Sequence, residues 1–156
     1  MNKKIIGLFT ISLIVILTMG AVSAANLESH NFDGYFSMKV PKDMTFEKED
    51  DSTIDEEMKL ISLSYLSDSL VVFYWEGPIY SNYSSYYYSQ LMFQGINPDL
   101  TKCYESQEDN LRILEPTTND DVHFAIVGTN SDNKQIFLAG QDVSLLKEMG
   151  HSIEFN

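Results

Sequence analysis

The chain has 156 residues, with 23 Asp and Glu against 10 Lys and Arg, a formal charge of −13 at pH 7. A field of that sign repels phosphate backbones and anionic lipid headgroups, which argues against nucleic acid and membrane-surface partners. The single cysteine, Cys103, excludes an intrachain disulfide, so the fold must rest on its apolar core.

Met1-Asn2-Lys3-Lys4 is a short basic start, Ile5 to Met19 is an apolar run, and Ala21-Val22-Ser23-Ala24-Ala25 supplies the small residues that signal peptidase needs. Residues 1–25 therefore read as a secretory signal helix, cleaved after Ala24 or after Ala25. The alternative is an uncleaved anchor, because residues 5–22 reach the lower limit for spanning a bilayer. The protein is expected to be secreted or extracytoplasmic, with 26–156 as one domain. Without Lys3 and Lys4, 8 basic side chains face the same 23 acidic ones, a formal −15 for that domain.

Gly34 to Pro41 alternates apolar and polar residues and places Phe36, Met38 and Val40 on one face of a half-buried strand. The acid-rich stretch Glu47–Glu57 reads as an exposed loop. Met58–Tyr65 and Leu70–Trp75, joined by the polar turn Leu66-Ser67-Asp68-Ser69, read as an antiparallel hairpin. The second of these strands is apolar on both faces, as in the middle of a sheet covered on both sides.

Gly77-Pro78 ends that strand, and Y-S-N-Y-S-S-Y-Y-Y-S-Q follows from Tyr80 to Gln90. Its spacing predicts a helix up to Gly95, with Tyr80, Tyr83, Tyr87 and Leu91 in one inward stripe. Tyr86 and Tyr88 fall on the flanks of that stripe and are the candidate binding residues. Asn82 opens Asn82-Tyr83-Ser84, the one N-x-S/T sequon, and is the candidate glycan acceptor.

Cys103 reads as a small, at least partly buried side chain, with an intermolecular bridge as the alternative. Leu111–Leu114 is a short strand. Val122–Gly128 and Lys134–Gly140 flank the turn formers Asn130-Ser131-Asp132-Asn133 and read as a hairpin. Asp142 is a good N-cap for a last helix with Val143, Leu146, Gly150 and Ile153 along one face, where Gly150 would let the helix lie close to a sheet. The sum is an α+β domain: an antiparallel sheet of about six strands with two main helices packed on it.

The opening strand G-Y-F-S-M-K-V-P-K-D-M-T-F and the closing H-F-A-I-V-G and K-Q-I-F-L-A-G-Q-D-V-S-L-L-K-E-M-G-H-S-I-E-F resemble a group of small secreted proteins of methanogenic archaea with no assigned activity. More remotely, the order of strand, hairpins, mid-chain helix and last helix is similar to the layout of PsbP/Mog1-type proteins. That resemblance implies a sheet sandwiched by helices in a non-enzymatic accessory or binding role, and it assigns no functional residue here.

Chemical motifs are sparse. The chain has no phosphate loop, H-E-x-x-H, paired-cysteine set or G-x-S-x-G elbow. His30, His123 and His151 are far apart, and none has a second ligand at metal spacing. Asp50, Asp51, Asp55 and Glu56 could gather a hard cation such as calcium, but the glycine that shapes a calcium loop is missing. The expectation is an exported, non-enzymatic binding protein without a cofactor, with an envelope protein or glycan as partner. The alternatives are a small extracellular hydrolase using His123 with loop carboxylates, and an acidic calcium-binding surface.

Overall fold

The computed structural model describes residues 26–50, 52–78, 80, 103–117 and 124–156. In chain order these form β1 (Leu27–Phe32), β2 (Phe36–Pro41), β3 (Glu47–Lys48), β4 (Thr53–Asp55), β5 (Leu60–Leu66), β6 (Leu70–Glu76), β7 (Cys103–Glu108), β8 (Leu111–Pro116), β9 (Ala125–Ser131), β10 (Lys134–Gly140), α1 (Val143–His151) and β11 (Glu154–Phe155). The eight-stranded sheet runs β3-β5-β6-β10-β9-β8-β7, with β4 also paired to β5, and a three-stranded sheet runs β1-β2-β11.

This corrects the expected α+β sandwich with two main helices. The described residues are mostly antiparallel β, with α1 as their one helix. The second predicted helix, over the tyrosine-rich segment, lies outside the described residues. The physical reason for the correction is that the strands form two sheets, one of eight strands and one of three, where a single sheet of about six was expected. On one face of the large sheet β2 turns Phe36, Met38 and Val40 inward, each at most 2 % exposed, and α1 packs beside it against β8, β9 and β10.

Period-two alternation divides the large sheet into two apolar faces. The first carries Leu63, Tyr65, Leu70, Val72, Tyr74, Leu111, Ile113, Val127, Ile136 and Leu138, which meet Phe32, Phe36, Met38, Leu145, Leu146 and Met149 in one core. The second carries Val71, Phe73, Trp75, Leu114, Ile126, Phe137 and Ala139, with Phe124 in the same cluster and Leu66, Tyr80 and Cys103 packed against it. The apolar run of β6 thus has a physical cause: its alternate residues enter two different cores.

Turn chemistry sets the registers. Between β1 and β2, Asp33 and Gly34 both take positive φ (54° and 83°), and Asn31 Oδ1 accepts from Gly34 N at 2.7 Å. Asp and Gly tolerate that region, which most side chains avoid. Ser67 closes the β5–β6 turn: its hydroxyl donates to Leu70 O at 3.0 Å and accepts from Leu70 N at 3.2 Å. At the far end of β6, Gly77 has φ 154° and a Cβ there would stand 2.9 Å from the backbone oxygen of Lys59, so that exit favours glycine.

Helix α1 starts where the sequence places it. Asp142 Oδ1 accepts from Leu145 N at 3.0 Å, which satisfies one of the free donors of the first turn. Asp142→Ala is expected to cost about 1 kcal/mol, read as a lower urea midpoint with an unchanged slope. A Cβ on Gly150 would meet Val127 Cγ1 at 3.0 Å and Leu111 Cδ1 at 3.2 Å, so this glycine sets how closely α1 approaches the sheet. After α1 the chain pairs β11 with β2, and Asn156 N donates to Tyr35 O at 3.1 Å. The Lys134 ammonium donates to Asn156 O, so the last residues join both sheets.

Candidate functional site

Several residues that the sequence nominates lie outside the described residues: Tyr86, Tyr88, Asn82, Asp51 and His123. Of the acidic stretch, Asp50 and Glu56 are exposed, and Asp55 accepts from Met58 N at 2.9 Å, which makes it a turn cap. Parts of the stretch are short strands on the β5 edge rather than loop. No three His, Cys, Asp or Glu among the described residues are grouped as a metal site. Cys103 is half-buried at the second face.

Aromatic rings and carboxylates meet where the small sheet closes on the large one. Phe36 stacks on Phe32 (4.5 Å, 5° between planes) and on Tyr74 (5.4 Å, 14°), while Tyr65 meets Phe32 edge-on at 5.1 Å. His30 joins the outer end of this row, 4.6 Å from Phe32 and 5.5 Å from Phe46. Two buried phenols end on carboxylates: Tyr65 OH donates to Asp33 Oδ2 at 3.1 Å, and Tyr74 OH donates to Glu76 Oε2 at 2.5 Å. Lys48 Nζ donates to the same Asp33 oxygen at 3.0 Å, and the Tyr35 ring leans on Tyr74 at 5.3 Å.

The electrostatics follow from those contacts. Burial of the rings, reinforced by the carboxylate each hydroxyl faces, pushes Tyr65 and Tyr74 well above the ordinary phenol range. The hydrogen bond from Lys48 holds Asp33 below its usual value, against a smaller opposing effect of desolvation. These phenols are therefore fixed donors at neutral pH. A raised phenol pKa stabilises the fold below the unfolded value near 10.0, and that contribution is lost as pH climbs from there towards the folded value. Stability is expected to fall steeply on the alkaline side, with tyrosinate absorbance rising in step with unfolding. Tyr74→Phe should flatten that limb while lowering stability at neutral pH by about 1 kcal/mol.

A second charged group ties α1 to the β7–β8 hairpin. Lys147 Nζ lies 2.5 Å from Glu108 Oε2, and His151 Nε2 lies 3.4 Å from Glu108 Oε1. Hydrogen bonding with Lys147 and His151 lowers the Glu108 pKa, and the bond that Lys147 donates to Glu108 raises the Lys147 pKa. The group is exposed and contributes little stability.

Sequence reasoning missed the Tyr65–Asp33 pair, which joins residues 32 apart. The Tyr74–Glu76 pair had a signal, since residues two apart on a strand share a face. Comparison with protein-family models, with characterised proteins and with solved structures finds no match.

Proposed function

We propose that this protein is an exported, non-enzymatic accessory module that binds a protein or glycan of the cell envelope. One observation supports the non-enzymatic part of the reading. Every described acid or base with a resolved shift moves away from neutrality: Tyr65, Tyr74, Tyr80 and Lys147 upward, Asp33 and Glu108 downward. A general acid or base works best with a pKa brought towards the operating pH, so these groups suit structural locking. The formal −15 of residues 26–156 favours a partner with a cationic contact surface.

The test uses residues 26–156 on a solid support with an envelope fraction from the source cell. A specific, saturable partner whose retention weakens as salt rises is the expected result. Turnover of a peptide, ester or glycoside substrate that His123→Ala abolishes would overturn the reading in favour of a hydrolase. Intact mass of the exported chain checks the leader: a mass equal to all 156 residues would sink cleavage.

A further inference from the structure

Three large apolar side chains among the described residues are exposed, and two of them share one hairpin: Ile54 (55 %) and Met58 (61 %). β4 and β5 make that hairpin at the edge of the large sheet, and Asp55 Oδ1 holds its turn by accepting from Met58 N at 2.9 Å. Among the described residues β4 pairs with β5 alone. Ile54 lies opposite Ile61 of β5, which lies opposite Glu76 of β6, so these side chains form one row on the first face. Ile61 is half-buried against the first core, and Ile54 carries its apolar surface out to the rim.

Acids frame the two exposed side chains. Residues 53–60 read T-I-D-E-E-M-K-L, three carboxylates against Lys59, with Glu56 and Glu57 exposed. An outer strand with apolar side chains is open to pairing with another chain, and here the carboxylates select which chain. A second copy brings the same acids, and the formal −15 of each domain opposes the contact. The charge that discourages pairing with like chains admits an opposite one, so a cationic segment completes the surface.

We infer that the β4–β5 hairpin is a docking edge for an extended segment of a partner protein that carries both apolar and lysine or arginine side chains. The apolar side chains of that segment lie on Ile54 and Met58, and its cations face Glu56 and Glu57. The inference rests on the binding role proposed above and names its surface and the kind of partner.

A synthetic peptide of alternating lysine and leucine is the probe, titrated into the full chain with backbone amide shifts as the readout. Saturable binding is expected, with shifts concentrated over residues 53–62 and an affinity that falls as salt rises. Peptides alternating lysine with serine, or glutamate with leucine, should bind at least about tenfold more weakly. The same loss is expected for the lysine-leucine peptide on the double variant Ile54→Ser, Met58→Ser, because the contact then buries no large apolar side chain of this edge. Both positions are exposed, so that variant should keep the unaltered urea midpoint. Tyr104→Ser, at the third exposed apolar side chain, is the control and should bind unchanged. Equal affinity in the double variant, equal affinity for the lysine-serine peptide, or shifts confined to other residues would overturn the inference. So would a dimer in sedimentation that the double variant loses, because the occupant is then a second copy. The envelope fraction separates this edge from the wider role. A salt-sensitive partner retained equally by the unaltered chain and the double variant overturns the docking edge alone. Lysine-leucine peptide bound over residues 53–62, with no envelope partner retained, overturns the envelope role and leaves the chemistry of the edge standing.

Discussion

Phe36→Ala is expected to destabilise the protein by about 3–5 kcal/mol, the range for removing a buried aromatic ring from a packed core. Phe36 has no exposed surface. Its ring stacks between Phe32 of the small sheet and Tyr74 of the large one, and its backbone pairs with Phe155 of β11. Three short strands hold together only with an apolar face to pack on, so this ring joins the small sheet to its support. The loss is a large part of the about 5–15 kcal/mol by which domains of this size are stable. Urea unfolding followed by circular dichroism measures it. Lys39→Ala, an exposed position on the same strand, is the control and should change stability by no more than about 0.5 kcal/mol. A loss under about 1 kcal/mol for Phe36→Ala would mean that the two sheets do not share a core.

How much was legible in the sequence depended on how far side chains alone report a strand. β2, β6, β9 and β10 were visible because their apolar residues alternate or fill both faces, and the Asp142 cap was visible because its chemistry is local. β1 reads L-E-S-H-N-F and buries only Phe32 fully; β7 reads C-Y-E-S-Q-E and is polar on both faces. Both are outer strands, held by backbone hydrogen bonds to a neighbour that is already in place, and that bonding leaves no hydrophobic pattern. β3 and β4 hide in the acidic stretch for a related reason, since charge on an outer strand discourages pairing with other chains. Missing these short strands lowered the expected strand count, about six against the eleven described.

The candidate site was less legible than the fold, and the reason is sequence distance. Tyr65 and Asp33 meet because β1–β2 folds over the β5–β6 hairpin, and no local spacing encodes that approach. The pairing gives the buried phenol an acceptor, which a tyrosine in a core requires. The same logic accounts for Gln135. A polar residue with no exposure inside an apolar strand has a partner on the face it points to, and here that partner is the carbonyl of Tyr80.

Phe137→Ala carries the second large effect, about 3–5 kcal/mol. Phe137 lies on β10, between β6 and β9, has no exposed surface and meets Trp75 edge-on at 5.1 Å. Its neighbour on the same strand, Leu138, points to the opposite face and is equally buried, so Leu138→Ala should cost about 2–5 kcal/mol. The pair forms a comparison within one strand. Comparable losses mean that both faces of the large sheet are core, with Trp75 emission changing in Phe137→Ala and staying nearly constant in Leu138→Ala. A binding platform behaves differently, because an aromatic ring kept open for a partner contributes little to the stability of the free protein and removing it lowers affinity instead. A Phe137→Ala loss below about 1 kcal/mol, with Leu138→Ala still costly, would therefore make the second face a candidate binding surface.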